Sequence, residues 1–137
     1  MVLGAKLWDE KAKVVGMSVK SVGPEGVRME ETFTSVIKGF GRFPSGTNMG
    51  TVEATQSPDG GSIGSGQGIC TFEDGDMAAW KFYFVGKVEE GKNKSFGIVK
   101  FYTASQKLAW LNKTVAALEA IADPKTMEGS DTGYEWK

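Results

Sequence analysis

Between residues 27 and 38 the character of the chain changes at every step. Odd positions read Val27, Met29, Glu31, Phe33, Ser35 and Ile37, while even positions read Arg28, Glu30, Thr32, Thr34, Val36 and Lys38. Successive side chains of a strand point to opposite faces, so a period of two predicts a half-buried strand with its odd face inward. The pattern recurs over residues 80–88, where Trp80, Phe82, Phe84 and Val88 share a face and Lys81 and Lys87 mark the other. Aromatic and β-branched side chains suit such a pleated surface. Further strands are predicted over residues 13–22, 49–56, 62–72 and 95–103, with a short last strand over residues 132–137 that places Tyr134 and Trp136 on one face. Gly23-Pro24-Glu25-Gly26, Ser57-Pro58-Asp59-Gly60-Gly61, Asp74-Gly75-Asp76 and the run from Glu89 to Asn93 supply the turn chemistry between them. Strands joined by such short links form an antiparallel meander.

One segment has a different period. Thr103 and Gln106 have the spacing of a capping box, and Leu108, Leu111, Val115, Leu118 and Ala122 then recur at three- and four-residue steps. The spacing predicts a helix over residues 104–122, ended by Asp123-Pro124 because proline disfavours helical geometry in the residue before it. A meander of this length must hide its edges, and closure removes them. The expected fold is therefore mainly β: an antiparallel meander closed into a small barrel, with the one C-terminal helix packed outside and the short strand last. The whole chain of 137 residues is one domain. Residues 95–103 are apolar on both faces, with Phe96, Ile98 and Tyr102 on one and Val99 and Phe101 on the other. Either the helix covers the outer row or a homo-oligomer contact does.

Composition excludes more functions than it proposes. There is no histidine, which removes His-based triads, His-ligated zinc and the commonest general base near neutral pH. A single cysteine, Cys70, allows neither an intramolecular disulfide nor a thiolate metal cluster. No metal or cofactor is expected. Sixteen basic residues against 17 acidic ones give a net charge of −1, without the excess that nucleic-acid binding needs. The first residues lack a signal-type apolar run, and no stretch approaches the ~18 apolar residues of a membrane helix, so a cytoplasmic protein with no membrane partner is expected. The triplets beginning at Asn93 and Asn112 match the glycosylation pattern by chance on that reading.

Glycine is in excess, 19 of 137 residues against a usual share of about 7%. Gly64, Gly66 and Gly68 stand at two-residue steps within a predicted strand. A phosphate-binding glycine motif must open a helix, whereas Ile69-Cys70-Thr71-Phe72 continues the strand. The row therefore serves architecture: it either lets the helix approach the sheet backbone closely or bends the strand at a barrel corner.

The glycine strand Gly64-Ser65-Gly66-Gln67-Gly68, the turn Asp74-Gly75-Asp76, the aromatic strand Trp80-Lys81-Phe82-Tyr83-Phe84 and a helix before the last strand resemble the calycin-type small barrels. Among these the chain is similar to the group around allene oxide cyclase, which includes bacterial proteins of unknown function. It departs from lipocalins in lacking their Gly-x-Trp signature, since Leu7 and Lys6 precede Trp8, and from fatty-acid-binding proteins in having no helix pair after the first strand. The resemblance implies a cavity for small apolar ligands and, in some members, a cyclase activity. No catalytic residue is carried over from it.

Candidate site residues follow from the inward rows. Glu31 lies between Met29 and Phe33, so an unbroken register points its carboxylate into an apolar interior, where desolvation raises its pKa toward neutrality. A bulge that shifts the phase, or a place at the barrel rim, would instead leave it solvated. Lys100 interrupts its own apolar row and is expected to extend its ammonium to water rather than pair with Glu31. Asp74 with Asp76 and Glu30 with Glu31 are read as structural, and Cys70 as an inert packed thiol. The expected function is non-enzymatic binding of a small apolar molecule by Glu31, Phe33, Gln67, Trp80, Phe82 and Phe84, with Glu31 orienting it. The alternatives are a cyclase or isomerase using Glu31 as a buried acid or base, and a ligand-free oligomeric module.

Overall fold

A computed structural model describes residues 2–137. Eight strands follow one another: β1 Leu3–Gly23, β2 Gly26–Gly39, β3 Gly46–Gln56, β4 Gly61–Phe72, β5 Met77–Glu89, β6 Lys92–Tyr102, β7 Val115–Asp123 and β8 Glu128–Trp136. Each pairs antiparallel with its neighbour in sequence, and β8 returns to β1, so the sheet closes into a barrel.

The alternation in β2 and β5 is realised as expected. Trp80, Phe82 and Phe84 face the interior, as do Met29, Glu31 and Phe33. The predicted helix is not formed. Residues 115–123 are β7, hydrogen-bonded to β6 on one side and β8 on the other, and only Ala109–Lys113 forms a 3-10 turn. An all-antiparallel ring needs an even number of strands, so the seven strands legible by period two could not close without an eighth. Closing the ring outweighs the helical preference of this alanine-rich segment. Ala116, Leu118, Ala120 and Ala122 then alternate as a strand should, and the small alanines leave room inside. The supposed capping residues fasten a loop instead. Ser105 N donates to Thr103 Oγ1 at 3.1 Å, and the Asn112 amide clasps both backbone groups of Thr103, at 2.8 and 3.0 Å.

Without that helix the outer row of β6 is uncovered. Phe96, Ile98 and Tyr102 are exposed, and Tyr83 and Val85 of β5 stand opposite Ile98 and Phe96. Lys100, on this outer face, reaches the carbonyl of Asn112 and makes no pair with Glu31.

The two ends of the barrel differ. At one end the loop after β2 inserts Phe43, and the 3-10 turn with its approach inserts Leu108 and Leu111. Phe43 packs against Trp8, Phe72 and Phe101 with ring centroids 5.1 to 5.8 Å apart. The other end carries the turns that join β1 to β2, β3 to β4, β5 to β6 and β7 to β8, and it is open. There the first hairpin outruns its neighbours, because β1 leaves β8 after Lys13 and continues to Gly23. Bulges after Val14 and Val19 twist this free edge.

Glycines in the wall let aromatic rings lie flat against it. A methyl group at Gly50 or Gly68 would overlap the Trp80 indole, one at Gly64 the Phe84 ring, and one at Gly133 the Trp8 indole. The glycine row thus accommodates side chains of β5 inside the barrel, a close approach from within rather than from a covering helix.

Candidate functional site

The barrel encloses a cavity of about 410 Å³, open toward the hairpin turns. Its walls are apolar: Met29, Phe33, Val52, Phe82 and Phe84 with the alanines of β3 and β7. Phe82 and Phe84 stack at 5.1 Å, and Phe33 leans on Trp80 at 6.0 Å. Of the residues proposed from sequence, Glu31, Phe33, Trp80, Phe82 and Phe84 line this space. Gln67 does not. It lies between Gly66 and Gly68 on the opposite parity, exposed on the outer face beside Thr51 and Lys81. The inner face of β4 is the one shared by Gly64, Gly66 and Gly68, which puts Gln67 outside.

Glu31 stands in the upper wall, opposite Met17 of β1 and Val52 of β3. The register is unbroken at this point of β2, so its carboxyl faces the cavity and burial raises its pKa. Among the described residues no ion pair or hydrogen bond fixes it.

The floor of the cavity is polar and was not legible as a site. Glu10 of β1 and Asp131 of β8 are register partners, both directed inward. Glu10 is only 7% exposed. Its Oε2 accepts a hydrogen bond from the Ser35 hydroxyl and another from Asn48 Nδ2 at 2.7 Å. Asn48 is oriented in turn by Trp80, whose Nε1–H donates to Asn48 Oδ1 at 2.7 Å. Asp131 accepts from Trp8 Nε1–H at 2.8 Å. Burial, and then the adjacent Glu10 carboxyl, hold the pKa of Asp131 well above the usual carboxylate range. Cys70, also in this layer, has its thiol pushed up by burial and by the same two carboxyls, as an inert thiol should.

Two features explain the chemistry of this floor. First, neighbouring carboxyls removed from water cannot both ionise without a cation, so the pair carries one proton and one negative charge. Second, Asp131, its pKa raised by burial and by its carboxyl neighbour, keeps its proton to higher pH than an ordinary carboxyl. Among the described residues no group of three or more histidine, cysteine, aspartate or glutamate side chains is placed to hold a metal ion. No helix among the described residues is long and apolar enough to cross a membrane.

Fold and cavity together define a small, closed, eight-stranded antiparallel β-barrel with an apolar chamber on a polar floor. No protein family model matches the sequence, and no curated protein matches it. Solved structures do resemble it. A protein of unknown function from Clostridium acetobutylicum superposes with a TM-score of 0.86 at 16% identity, covering 100% of both chains. A β-barrel-like protein from Acinetobacter baumannii gives 0.84 at 17% identity, over 99% of this chain and 96% of the other. An enzyme from Penicillium herquei gives 0.72 at 17% identity, over 98% and 96%. At such identities the likeness defines the fold alone. The narrower group around allene oxide cyclase is not among these descriptions.

Proposed function

We propose that the protein binds a small apolar molecule inside the barrel, its body against Phe33, Trp80, Phe82 and Phe84 and its polar end toward Glu10 and Asp131. The observation that carries this reading is the cavity itself, whose volume lies within the ~300–1,000 Å³ range of ligand pockets and whose closed end carries Glu10, Asn48 and Asp131. Burying an apolar body there removes it from water while the few polar groups fix its direction. The floor already holds a negative charge, so a neutral head such as a ketone or alcohol fits better than a carboxylate. Glu31, with no partner of its own, orients the outer part of the molecule. That an enzyme of Penicillium herquei has a barrel of this shape is compatible with chemistry in such a chamber, but the binding reading does not depend on it.

The test is titration with terpenoid ketones, terpenoid alcohols and medium-chain fatty acids, followed by native mass spectrometry and tryptophan fluorescence. One bound molecule per chain with quenching is expected, strongest for the neutral compounds. Ala54→Trp, which fills the chamber, should abolish binding. A panel in which nothing binds overturns the reading.

A second use of the barrel, as a contact between copies, is supported by the outward ladder of Tyr83, Val85, Phe96 and Ile98, which leaves large apolar side chains in water. Light scattering that finds only monomer would dispose of it.

A further inference from the structure

We infer that Glu10 and Asp131 form an acid–base pair acting on an apolar substrate with an enolisable ketone, moving the hydrogen on the carbon beside the carbonyl. The inference rests on the cavity being a binding chamber and names the class of molecule and reaction that its floor suits.

The geometry supports it in three ways. The two carboxyls come from neighbouring strands in register and face one chamber. Among the described residues no cation lies in the layer of the pair, and Lys94, which lines the chamber, is paired with Glu89 at 3.0 Å. Trp8 on β1, Ser35 and Ile37 on β2, Asn48 on β3, Cys70 on β4, Trp80 on β5, Val99 on β6, Leu118 on β7 and Phe43 from the loop after β2 supply no neutralising charge. Asp9, the nearest other acid, lies on the outer face of β1 against Lys6 at 2.8 Å. The third observation concerns Glu10 alone. Both of its side-chain donors, Ser35 and Asn48, bind Oε2, so Oε1 of this nearly buried carboxylate receives no N–H or O–H from Ser, Asn or Trp and is the atom left for a proton from elsewhere.

The reaction is balanced without a co-reactant. A ketone oxygen accepts a hydrogen bond from the Asp131 carboxyl, and the adjacent C–H meets Glu10 Oε1. Glu10 gains the hydrogen as the C–H bond breaks, its electron pair becomes the new C=C bond, and the carbonyl oxygen takes the Asp131 proton to give the enol. The pair ends with Glu10 neutral and Asp131 anionic, still carrying a single negative charge, so no charge is created in the apolar chamber. Reversal returns a hydrogen to the same carbon, exchanged with solvent, or to the far end of a conjugated double bond, which isomerises the substrate. Ser35, Asn48, Trp80 and Trp8 are positioning residues that hold the two carboxyls in these roles.

The experiment uses the full chain with β-tetralone, an apolar bicyclic ketone, in D₂O. Exchange of its acidic hydrogens is followed by NMR, and binding by tryptophan fluorescence. The protein should accelerate exchange well above the buffer rate. Glu10→Gln and Asp131→Asn should each lower that acceleration by about 100-fold, the scale of one acid–base group, while quenching by tetralone persists. Tetralone that binds yet exchanges at the buffer rate with the unmodified protein overturns the inference and leaves the binding reading standing. Exchange unaffected in folded Glu10→Gln also overturns it. Failure of tetralone to bind while other ketones of the panel do so overturns it too, whereas failure of the whole panel removes both readings.

Discussion

At the end where β2 runs into β3 the barrel interior is solid, with Phe43, Phe72, Phe101, Leu108 and Leu111 filling the layer beneath Trp8. At the hairpin end the same alternation of inward residues surrounds open space, and Met17 and Val88 are 45% and 44% exposed. Both ends obey one sequence rule, yet only the first has loops folded in to finish the packing. Stability concentrates in the plugged end, and the open end is free to receive a molecule. Glu10, Asp131 and Asn48 lie at the boundary between them, where the plug supplies rigidity and the cavity supplies access.

The sharpest test of this contrast is Leu111→Ala. Leu111 is wholly buried in the plug, so its truncation should cost about 2–5 kcal/mol, measured by urea denaturation. Gly68→Ala comes next. The added methyl overlaps both the Trp80 indole and the Met49 carbonyl, and overpacking of this kind should cost about 1–3 kcal/mol by the same measurement. It should also shift the Trp80 emission.

The third prediction concerns pH. The folded state holds the proton of Asp131 to a higher pH than the unfolded chain does, so the unfolded state binds fewer protons once pH passes about 4. Stability contributed by this group is therefore full below that point and is lost as pH rises toward the raised folded value. Asp131→Asn removes the effect, and its stability relative to the parent should increase from about pH 4 upward. Glu31→Gln should show the same sign with a smaller amplitude, because Glu31 is only partly buried. Thermal melts across this range check both, and a relative stability that falls with pH would contradict the assignment. The smallest effect is expected at the open rim, where Val88→Ala should change stability by no more than about 0.5 kcal/mol. A larger loss there would mean that the two ends are not so different.

Much of the ring was legible because it rests on local alternation. β2 through β6 follow period two closely, and the turn residues between them mark the hairpins. The segment that became β7 was not legible, because alanine and leucine at residues 116–120 satisfy either period. Only the demand for a closed ring with an even number of strands decides between them. The floor was missed for a related reason. Asp9-Glu10-Lys11 and Gly129-Ser130-Asp131 look like solvated ends or turns, and neither carboxyl has a local sign of its partner. A faint signal did exist. Gly129, Asp131 and Gly133 repeat at two-residue steps, as Gly64, Gly66 and Gly68 do, and an acid set within an inward glycine row marks a buried charge. Glu31 was found because its apolar neighbours are adjacent in sequence, whereas Glu10 and Asp131 meet only through long-range pairing.

The pairing of β1 with β8 is the last that a chain emerging from synthesis can form. Trp8 and Asp131 stand 123 positions apart, so their hydrogen bond exists only after β8 has been made and the ring has shut. Glu10 thus waits, without its partner, on an open sheet while the other strands assemble. Any chain truncated before β8 would carry an open seven-stranded sheet whose outer edges, on β1 and β7, are unpaired and prone to pairing with other chains. The chemistry on the floor of this barrel is consequently also a quality mark, present only in molecules whose two ends have met.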